Sequence, residues 1–437
     1  MAQERPAPEQ GRLNNTRFTA LHALAVLSLA CLAAAQPSRA GPALSLAATE
    51  RLAIERDAVL QQLASESAGM RERAIAEGQL MDPRLRVGAV NVPTDGFGFT
   101  EEDMTMVEVG VSQEFPAGRT RELARRRMEQ IATASQAAAG DRRRVVQREV
   151  RHVWVELAYI EAARQRLAGQ SSWVDQMRAA ARARYATGEG KQLDVLQAGL
   201  DVAMLKEQQL DLDREEAMRR AQLVRWLGEE DAARAGPFTL PARTDMPPLA
   251  ELEARLAEHP AQQDYERRIE AAQTAVQLAE QSTRPGWMLD LSYGFRGGEM
   301  ADGQPRSDMV TAMVSVDLPL FRGNRQDREV AAARAEAQGL HQMHIDHQRE
   351  MLGMLEEAWA VADRTGELER FYETDLVPLA DQSVQAALLA YRNNRAMLDD
   401  VVTARRVALE TNLKRLRMSA DRAQAQYQVD YLVGAEP

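Results

Sequence analysis

Residues Val107–Arg127 have the sequence VEVGVSQEFPAGRTRELARRR, and the same arrangement returns about 200 residues later in TAMVSVDLPLFRGNRQDREVAAAR, residues Thr311–Arg334. Each stretch passes from alternating apolar and polar residues, through a proline, into a sequence typical of a long helix. A second pair, ARYATGEGKQLDVLQA (Ala183–Ala198) and LAYRNNRAMLDDVVTA (Leu389–Ala404), follows at a similar spacing. This period is too long for a solenoid and indicates one structural half that is built twice.

The composition limits the class of protein. Of the 437 residues, 45% are hydrophobic but only 5% are aromatic, a balance typical of long helices. The net charge of -11 argues against a nucleic-acid partner, because a surface that neutralises phosphates needs an excess of basic residues. The sequence has no glycine-rich phosphate loop, nucleophile elbow or paired cysteine ligands, so we expect no catalytic residues and no cofactor.

The N-terminal segment 1–40 has the features of a secretory signal peptide. Arg12 and Arg17 precede an apolar stretch rich in alanine and leucine, and small residues suited to cleavage follow it. The alternative is a transmembrane anchor. Cys31, the only cysteine, is expected to leave with the signal peptide, although it could instead carry a lipid. After residue 41 no apolar run is long enough to form a helix that spans a bilayer.

Two strand hairpins are predicted, over residues 84–115 and 287–319. Their residues alternate between apolar and polar over about ten positions, which is typical of a strand that crosses a membrane and equally of a soluble sheet with one face on a core. The membrane interpretation is favoured because the rest of the chain is committed to helices and leaves little to cover an apolar face. Four strands cannot close a barrel, which needs about eight, so a membrane location requires an oligomer.

Long helices flank these hairpins. Apolar residues recur at spacings of three and four, as in laterally packed helices. A single helix over residues 118–186 would be ~100 Å long at ~1.5 Å per residue. The long helices are predicted over residues 118–186, 191–227, 323–392 and 395–432, with a kink at Pro378 and with leading helices over 46–80 and 249–284. The chain thus divides into a first repeat (41–235), a linker (236–248), a second repeat (249–433) and a tail (434–437).

The repeated junctions and turn motifs resemble those of the TolC-type outer-membrane efflux ducts, the exit channels of tripartite bacterial pumps. The similarity extends from about Leu46 to Val433. It implies a mainly α fold with a transmembrane β contribution: a homotrimer with a 12-stranded barrel in outer-membrane lipid, standing on an α-helical tunnel in the periplasm. It also implies a passive duct that works with a periplasmic adaptor and an inner-membrane pump of the RND type. Heavy metals or drugs are the preferred classes of cargo, although the resemblance does not fix the cargo.

The resemblance assigns a gate to the turns at the far end of the helices. By motif, Asp400 matches an aspartate of the pore ring, and Tyr391 and Asp194 match partners in the lock that holds the closed tip. The second ring aspartate that the motif expects three residues after Asp400 is Thr403 here, although the adjacent Asp399 could contribute charge. The lock arginine is expected at Ala396, one position after Arg395, so the gate chemistry of this chain departs from the family pattern. The alternative is that Asp194 and Asp400 only cap helices, where negative charge is favourable.

A candidate metal site lies in the predicted helix 323–392. His341, His344 and His347 share roughly one helical face, and imidazole is a suitable ligand for copper or silver ions. These histidines could equally be ordinary surface positions.

Two other functions remain open at this stage, a soluble periplasmic coiled-coil adaptor or scaffold and a duct for type I protein secretion. The transported substrate and the identity of the pump do not follow from the sequence.

Overall fold

The computed structural model describes residues 42–393 and 395–434, and the chain divides into the units Met1–Pro42 and Ala43–Pro437. The predicted signal peptide, including Cys31, lies outside the described residues. Among the helices of the described ranges, none is both long enough and apolar enough to cross a membrane.

The same order of elements occurs twice in the second unit. The first copy contains α1 (Leu46–Arg56), α2 (Ala58–Glu77), β1 (Arg84–Val90), β2 (Met106–Phe115), α3 (Thr120–Ala186) and α4 (Gln192–Leu227). A short helix, α5 (Glu229–Arg234), follows it. The second copy contains α6 (Leu249–Leu256), α7 (Pro260–Gln281), β3 (Trp287–Phe295), β4 (Met309–Val316), α8 (Gln326–Phe371), α9 (Val377–Arg392) and α10 (Leu398–Val433).

The leading helix of each copy is broken in two, so the prediction of continuous helices over 46–80 and 249–284 is wrong. In the first copy the Asp57 carboxylate accepts the backbone N–H of Leu60 at 2.9 Å and starts α2. In the second copy Pro260 begins α7, and the His259 ring accepts the backbone N–H of Ala261 at 3.2 Å. An aspartate cap and a proline in the first turn are both helix-start signals, and each ends the helix before it.

The long helices of the two copies differ. α3 contains no proline and runs unbroken for 67 residues, which corresponds to ~100 Å. The predicted helix over 323–392 is interrupted by a π-helical turn at Tyr372–Leu376, after which Pro378 lies in the first turn of α9. Proline has no N–H for the i−4 carbonyl, and a π turn is one of the known ways in which a helix bends around such a defect.

The four strands form one antiparallel sheet in the order β1-β2-β3-β4. β2 pairs with β3, which joins the two copies, and Val111 lies opposite Leu291 in this pairing. The outer strands continue the same register, since Leu85 lies opposite Val111 and Ala312 lies opposite Leu291. Side chains alternate between the two faces of a strand, so one face of the whole sheet is apolar and the other is largely polar.

In β3 the burial is the reverse of that in a soluble protein, whereas the edge strands β1 and β4 are largely exposed on both faces. On β3 the apolar side chains are exposed, with Leu291 54% accessible, whereas its neighbour Asp290 is only 8% accessible. An ion pair covers the polar face, because an Arg86 Nη lies 2.6 Å from the Asp290 carboxylate. On the apolar face the rings of Phe115 and Trp287 stack at 4.0 Å between centroids. The sheet therefore presents its apolar face outward.

Apolar clusters between helices hold the second unit together. Val150 and Leu157 of α3 pack against Leu223 of α4, and Leu355 of α8 packs against Leu432 of α10.

The predicted linker 236–248 forms neither helix nor strand, but it packs on the helices at both ends. Phe238 meets Trp154 edge-on at 4.7 Å, and the Trp359 indole N–H donates to the carbonyl of Pro247 at 2.9 Å.

Candidate functional site

The site that the sequence predicts lies at the two turns between long helices. The turn after α3 is closed by the N–H groups of Glu189 and Gly190, which both donate to the carbonyl of Arg184 at 2.9 Å. In the second copy the N–H of Arg395 donates to the carbonyl of Ala390 at 2.8 Å. Gly188 has φ +79°, a left-handed conformation that glycine adopts without steric cost.

Asp194 and Asp400 occupy equivalent positions in the two turns, and each caps a helix. The Asp194 carboxylate accepts the N–H of Lys191 at 3.1 Å, and the Asp400 carboxylate accepts the N–H of Met397 at 2.7 Å. A negative charge in the first turn also interacts favourably with the helix dipole. Both side chains remain exposed, so the capping bond leaves their charge open to solvent at the end of the helices.

An open groove with a volume of about 690 Å³ lies between the turns of the two copies. Three of the predicted site residues line it, namely Asp194, Tyr391 and Asp399. The described residues place Asp400 and Arg395 outside this lining, although both belong to the same turn. The structure thus brings together one acidic residue from the first copy and a tyrosine and an acidic residue from the second.

A second cavity continues from this groove, since Asp201 and Val402 line both. Its wall contains the indole of Trp173, over which the Arg405 guanidinium lies at 4.4 Å from the ring centroid. Burial raises the pKa of Asp201, nearby Arg406 opposes this, and Asp399 adds to it. Burial also lowers the pKa of Arg405, whose Nε has no hydrogen-bond partner among the described residues.

Our sequence reasoning missed this second cluster. Asp201 lies two helical turns after Asp194, so a common face of α4 is the signal that could have identified it. Trp173 and Arg405 come together only through the packing of α3 against α10, which no local pattern records.

The three histidines proposed as a metal site lie in different environments. His344 is buried, its Nε2 lies 2.8 Å from the amide oxygen of Gln262, and its ring stacks on Tyr265. The His347 ring is tilted against the same tyrosine, with 4.9 Å between ring centroids, whereas His341 is exposed. The described part of the chain holds no group of three or more His, Cys, Asp or Glu side chains arranged to bind a metal.

Solved structures of outer-membrane channels superpose on this chain over most of its length. The outer membrane protein VceC of Vibrio cholerae matches with a TM-score of 0.75 at 16% identity, covering 89% of this chain and 96% of VceC. The CmeC channel of Campylobacter jejuni matches with a TM-score of 0.75 at 13% identity, covering 89% and 85% of the two chains. The open state of the MtrE channel of Neisseria gonorrhoeae matches with a TM-score of 0.70 at 15% identity, covering 89% of each chain.

The chain has the TolC-type channel fold. The resemblance predicted from the repeated motifs is therefore confirmed as a fold, with its long helical hairpins and its small antiparallel sheet. No protein-family model and no curated protein matches the sequence. In the TolC-type fold of this chain, the sheet lies at one end of the long helices and the turns with Asp194 and Asp400 lie at the other.

Proposed function

We propose that this chain is one subunit of a homotrimeric outer-membrane channel, the exit duct of a tripartite efflux system. The proposal rests on the sheet, whose apolar face is exposed while Asp290 on its polar face is covered. Apolar side chains on the exposed face of β3, such as Leu291 and Phe295, would be costly in water but are favourable against lipid. The polar face, with the Arg86–Asp290 ion pair, suits a water-filled interior.

In a ring of three chains, the edge strands of each sheet would pair with the edge strands of the neighbouring chains. Among the strands of the described residues, β1 and β4 each pair with a single neighbour, and lipid does not tolerate open edges. Four strands from each of three copies give a barrel of twelve, above the minimum of about eight. Joining β4 of one chain to β1 of the next is a head-to-tail contact, and such contacts form a closed ring when the rotation between neighbouring chains divides a full turn.

Exposed apolar residues on the long helices support the same ring. Leu193, Leu196 and Leu200 lie along one face of α4 and are exposed within a single chain. Leu368 of α8 and Leu379 of α9 are also exposed. A neighbouring copy would cover these surfaces, as laterally packed helices do in a closed tunnel.

The duct is passive in this proposal. A periplasmic adaptor and an inner-membrane pump of the RND type would supply the cargo and the energy, while the helical tunnel lies in the periplasm. The pump sets the cargo in such a system, and heavy-metal ions or drugs are the classes that we propose.

We place the gate at the turns between the long helices. Three copies of Asp400, with Asp399 beside it, would form an acidic ring that attracts cations and repels anions. Asp194 and Tyr391, which line one groove, would hold the closed state. Replacing Asp400 with Asn tests the pore role in single-channel recordings, where we expect weaker block by multivalent cations. Asp57→Asn, which changes a helix cap away from the turns, is the control, and unchanged block in Asp400→Asn would contradict the ring.

The proposal as a whole is tested with purified full-length protein. We expect it to require detergent, to migrate on gels as a trimer that heat dissociates, and to conduct ions in planar bilayers. A protein that stays soluble and monomeric without detergent would instead support a periplasmic adaptor or scaffold. A deletion strain that is impaired in the secretion of a protein, without gaining sensitivity to drugs or metals, would support a type I secretion duct.

A further inference from the structure

The loops that connect the strands within each hairpin lie at the end of the sheet away from the long helices. The first loop, residues 91–105, belongs to the first copy, and the second, residues 296–308, belongs to the second copy. Exposed loops of this length are commonly mobile. Here two arginine side chains of the second loop donate hydrogen bonds to backbone carbonyls of the first loop.

Arg306 makes the central contact. Its Nη1 donates to the backbone carbonyls of Thr100 and Glu102, both at 3.0 Å, and to the carbonyl of Gly297 at 3.2 Å. Its Nη2 lies 2.9 Å from the Asp103 carboxylate. The Arg306 side chain is only 7% exposed, whereas that of Asp103 is 82% exposed, so the guanidinium is enclosed by the first loop.

Neighbouring contacts extend this connection. The Arg296 side chain donates to the carbonyl of Asp103 at 3.0 Å and to the carbonyl of Ser307 at 2.7 Å, which again links the two loops. Within the first loop, the Thr105 hydroxyl donates to the carbonyl of Asn91 at 2.7 Å, and Thr105 is fully buried. The loop ends are therefore fixed to the strands, and the loop middle is fixed to Arg306.

The chemistry of these bonds makes them strong. A hydrogen bond from a charged donor contributes about 1.5–3 kcal/mol, roughly twice a neutral one, and the enclosure of Arg306 limits competition from water. Three of its four acceptors are backbone carbonyls, so they are tied to the path of the loops rather than to particular side chains.

We propose that Arg306 is a clamp that joins the two loops into one rigid rim, so that the outer mouth of the channel keeps a constant width while the far tip opens and closes. This function of the rim rests on the proposed channel. The clamp itself is a property of the single chain, and the two can be tested separately.

The first test measures hydrogen exchange of the full-length protein in detergent by mass spectrometry. The backbone N–H of Phe97 donates to Pro93 and that of Thr105 donates to Glu102, so both report on the first loop. In Arg306→Met we expect exchange of the segment 93–105 to accelerate by at least about tenfold. In the control Arg322→Met, which removes an exposed arginine whose side chain pairs with Asp327 in the described structure, we expect no change in the exchange of this segment.

A second variant keeps the test decisive if Arg306→Met assembles poorly. Asp103→Asn removes only the charge of the exposed partner and leaves the three carbonyls bound, so we expect exchange of the segment to accelerate by no more than about fivefold. Exchange in Arg306→Met that matches the wild type would overturn the clamp, as would an effect of Asp103→Asn as large as that of Arg306→Met.

The second test records single channels in planar bilayers. If the rim keeps the width of the outer mouth constant, we expect rapid current fluctuations in Arg306→Met channels that are absent from Arg322→Met channels. Faster exchange with currents as steady as the wild type would overturn the role of the rim. A wild-type chain that forms no channel would refute the proposed function, and the exchange measurement would then decide the clamp by itself.

Discussion

Val314 and Met313 provide a matched test of which face of the sheet meets lipid. They are adjacent in β4, both are well exposed at 61% and 56%, and both are hydrophobic. Their side chains point to opposite faces, because Val314 lies opposite Leu289 on the apolar face and Met313 lies opposite Asp290 on the polar face. We compare Val314→Arg with Met313→Arg.

The expected cost differs strongly between the two faces. A charged residue on the lipid face of a barrel costs ~2–4 kcal/mol at the bilayer midplane and less near the interfaces. Val314 lies close to the centre of β4, so we expect ~2–3 kcal/mol for each chain and ~6–9 kcal/mol for a trimer. Met313→Arg instead places a cation opposite the Asp290 carboxylate, so its expected cost is within about 0.5 kcal/mol.

The assay measures assembled protein in outer membranes as the heat-sensitive trimer on unboiled gels. We expect Val314→Arg to reduce the trimer by more than about tenfold and Met313→Arg to leave it near the wild-type amount. If the apolar face met water, both substitutions would be ordinary surface changes within about 0.5 kcal/mol. Equal assembly of the two variants would therefore refute the reasoning.

Three further predictions concern the helices and their junction with the sheet. The Glu369 carboxylate is buried 2.6 Å from Arg422 Nε, and Arg422→Met leaves it without its cation. We therefore expect the unfolding free energy, measured in guanidinium, to fall by ~3–5 kcal/mol and to recover largely when Glu369→Leu is added. Burial lowers the pKa of His259 to about 4, so the stability that its neutral ring contributes is complete above pH ~6.5. As pH falls toward 4 this contribution decreases by ~1.4 kcal/mol per unit, and His259→Gln should make the pH dependence of the unfolding free energy shallower by that amount. Gly118 has φ +51° between β2 and α3, so Gly118→Ala should lower the unfolding free energy by ~1–3 kcal/mol, whereas Gly169→Ala, in open space within α3, should not lower it.

The sequence was sufficient for the elements whose pattern is local. Period-two alternation around Leu291 identified the strands, and the absence of proline between Gly118 and Ala186 identified the longest helix. The capping residue Asp57 is also a local signal, but the prediction of one long leading helix overlooked it.

Other features depend on contacts that no local pattern records. Alternation is the same whether the apolar face of a strand is buried or exposed, so only the structure shows that Asp290 is covered and Leu291 is not. The grouping of Asp201, Trp173 and Arg405 requires helices from both copies to pack side by side. The inter-loop bonds of Arg306 likewise join residues about 200 positions apart in sequence.

The measurement that tests the trimeric channel most directly is a three-dimensional image of the purified full-length protein in a lipid nanodisc. We predict three chains around one axis, with β4 of each chain hydrogen-bonded to β1 of the next and with Leu291 and its apolar neighbours facing the lipid. A single chain, or an oligomer whose apolar sheet face is covered by protein in water, would contradict the account.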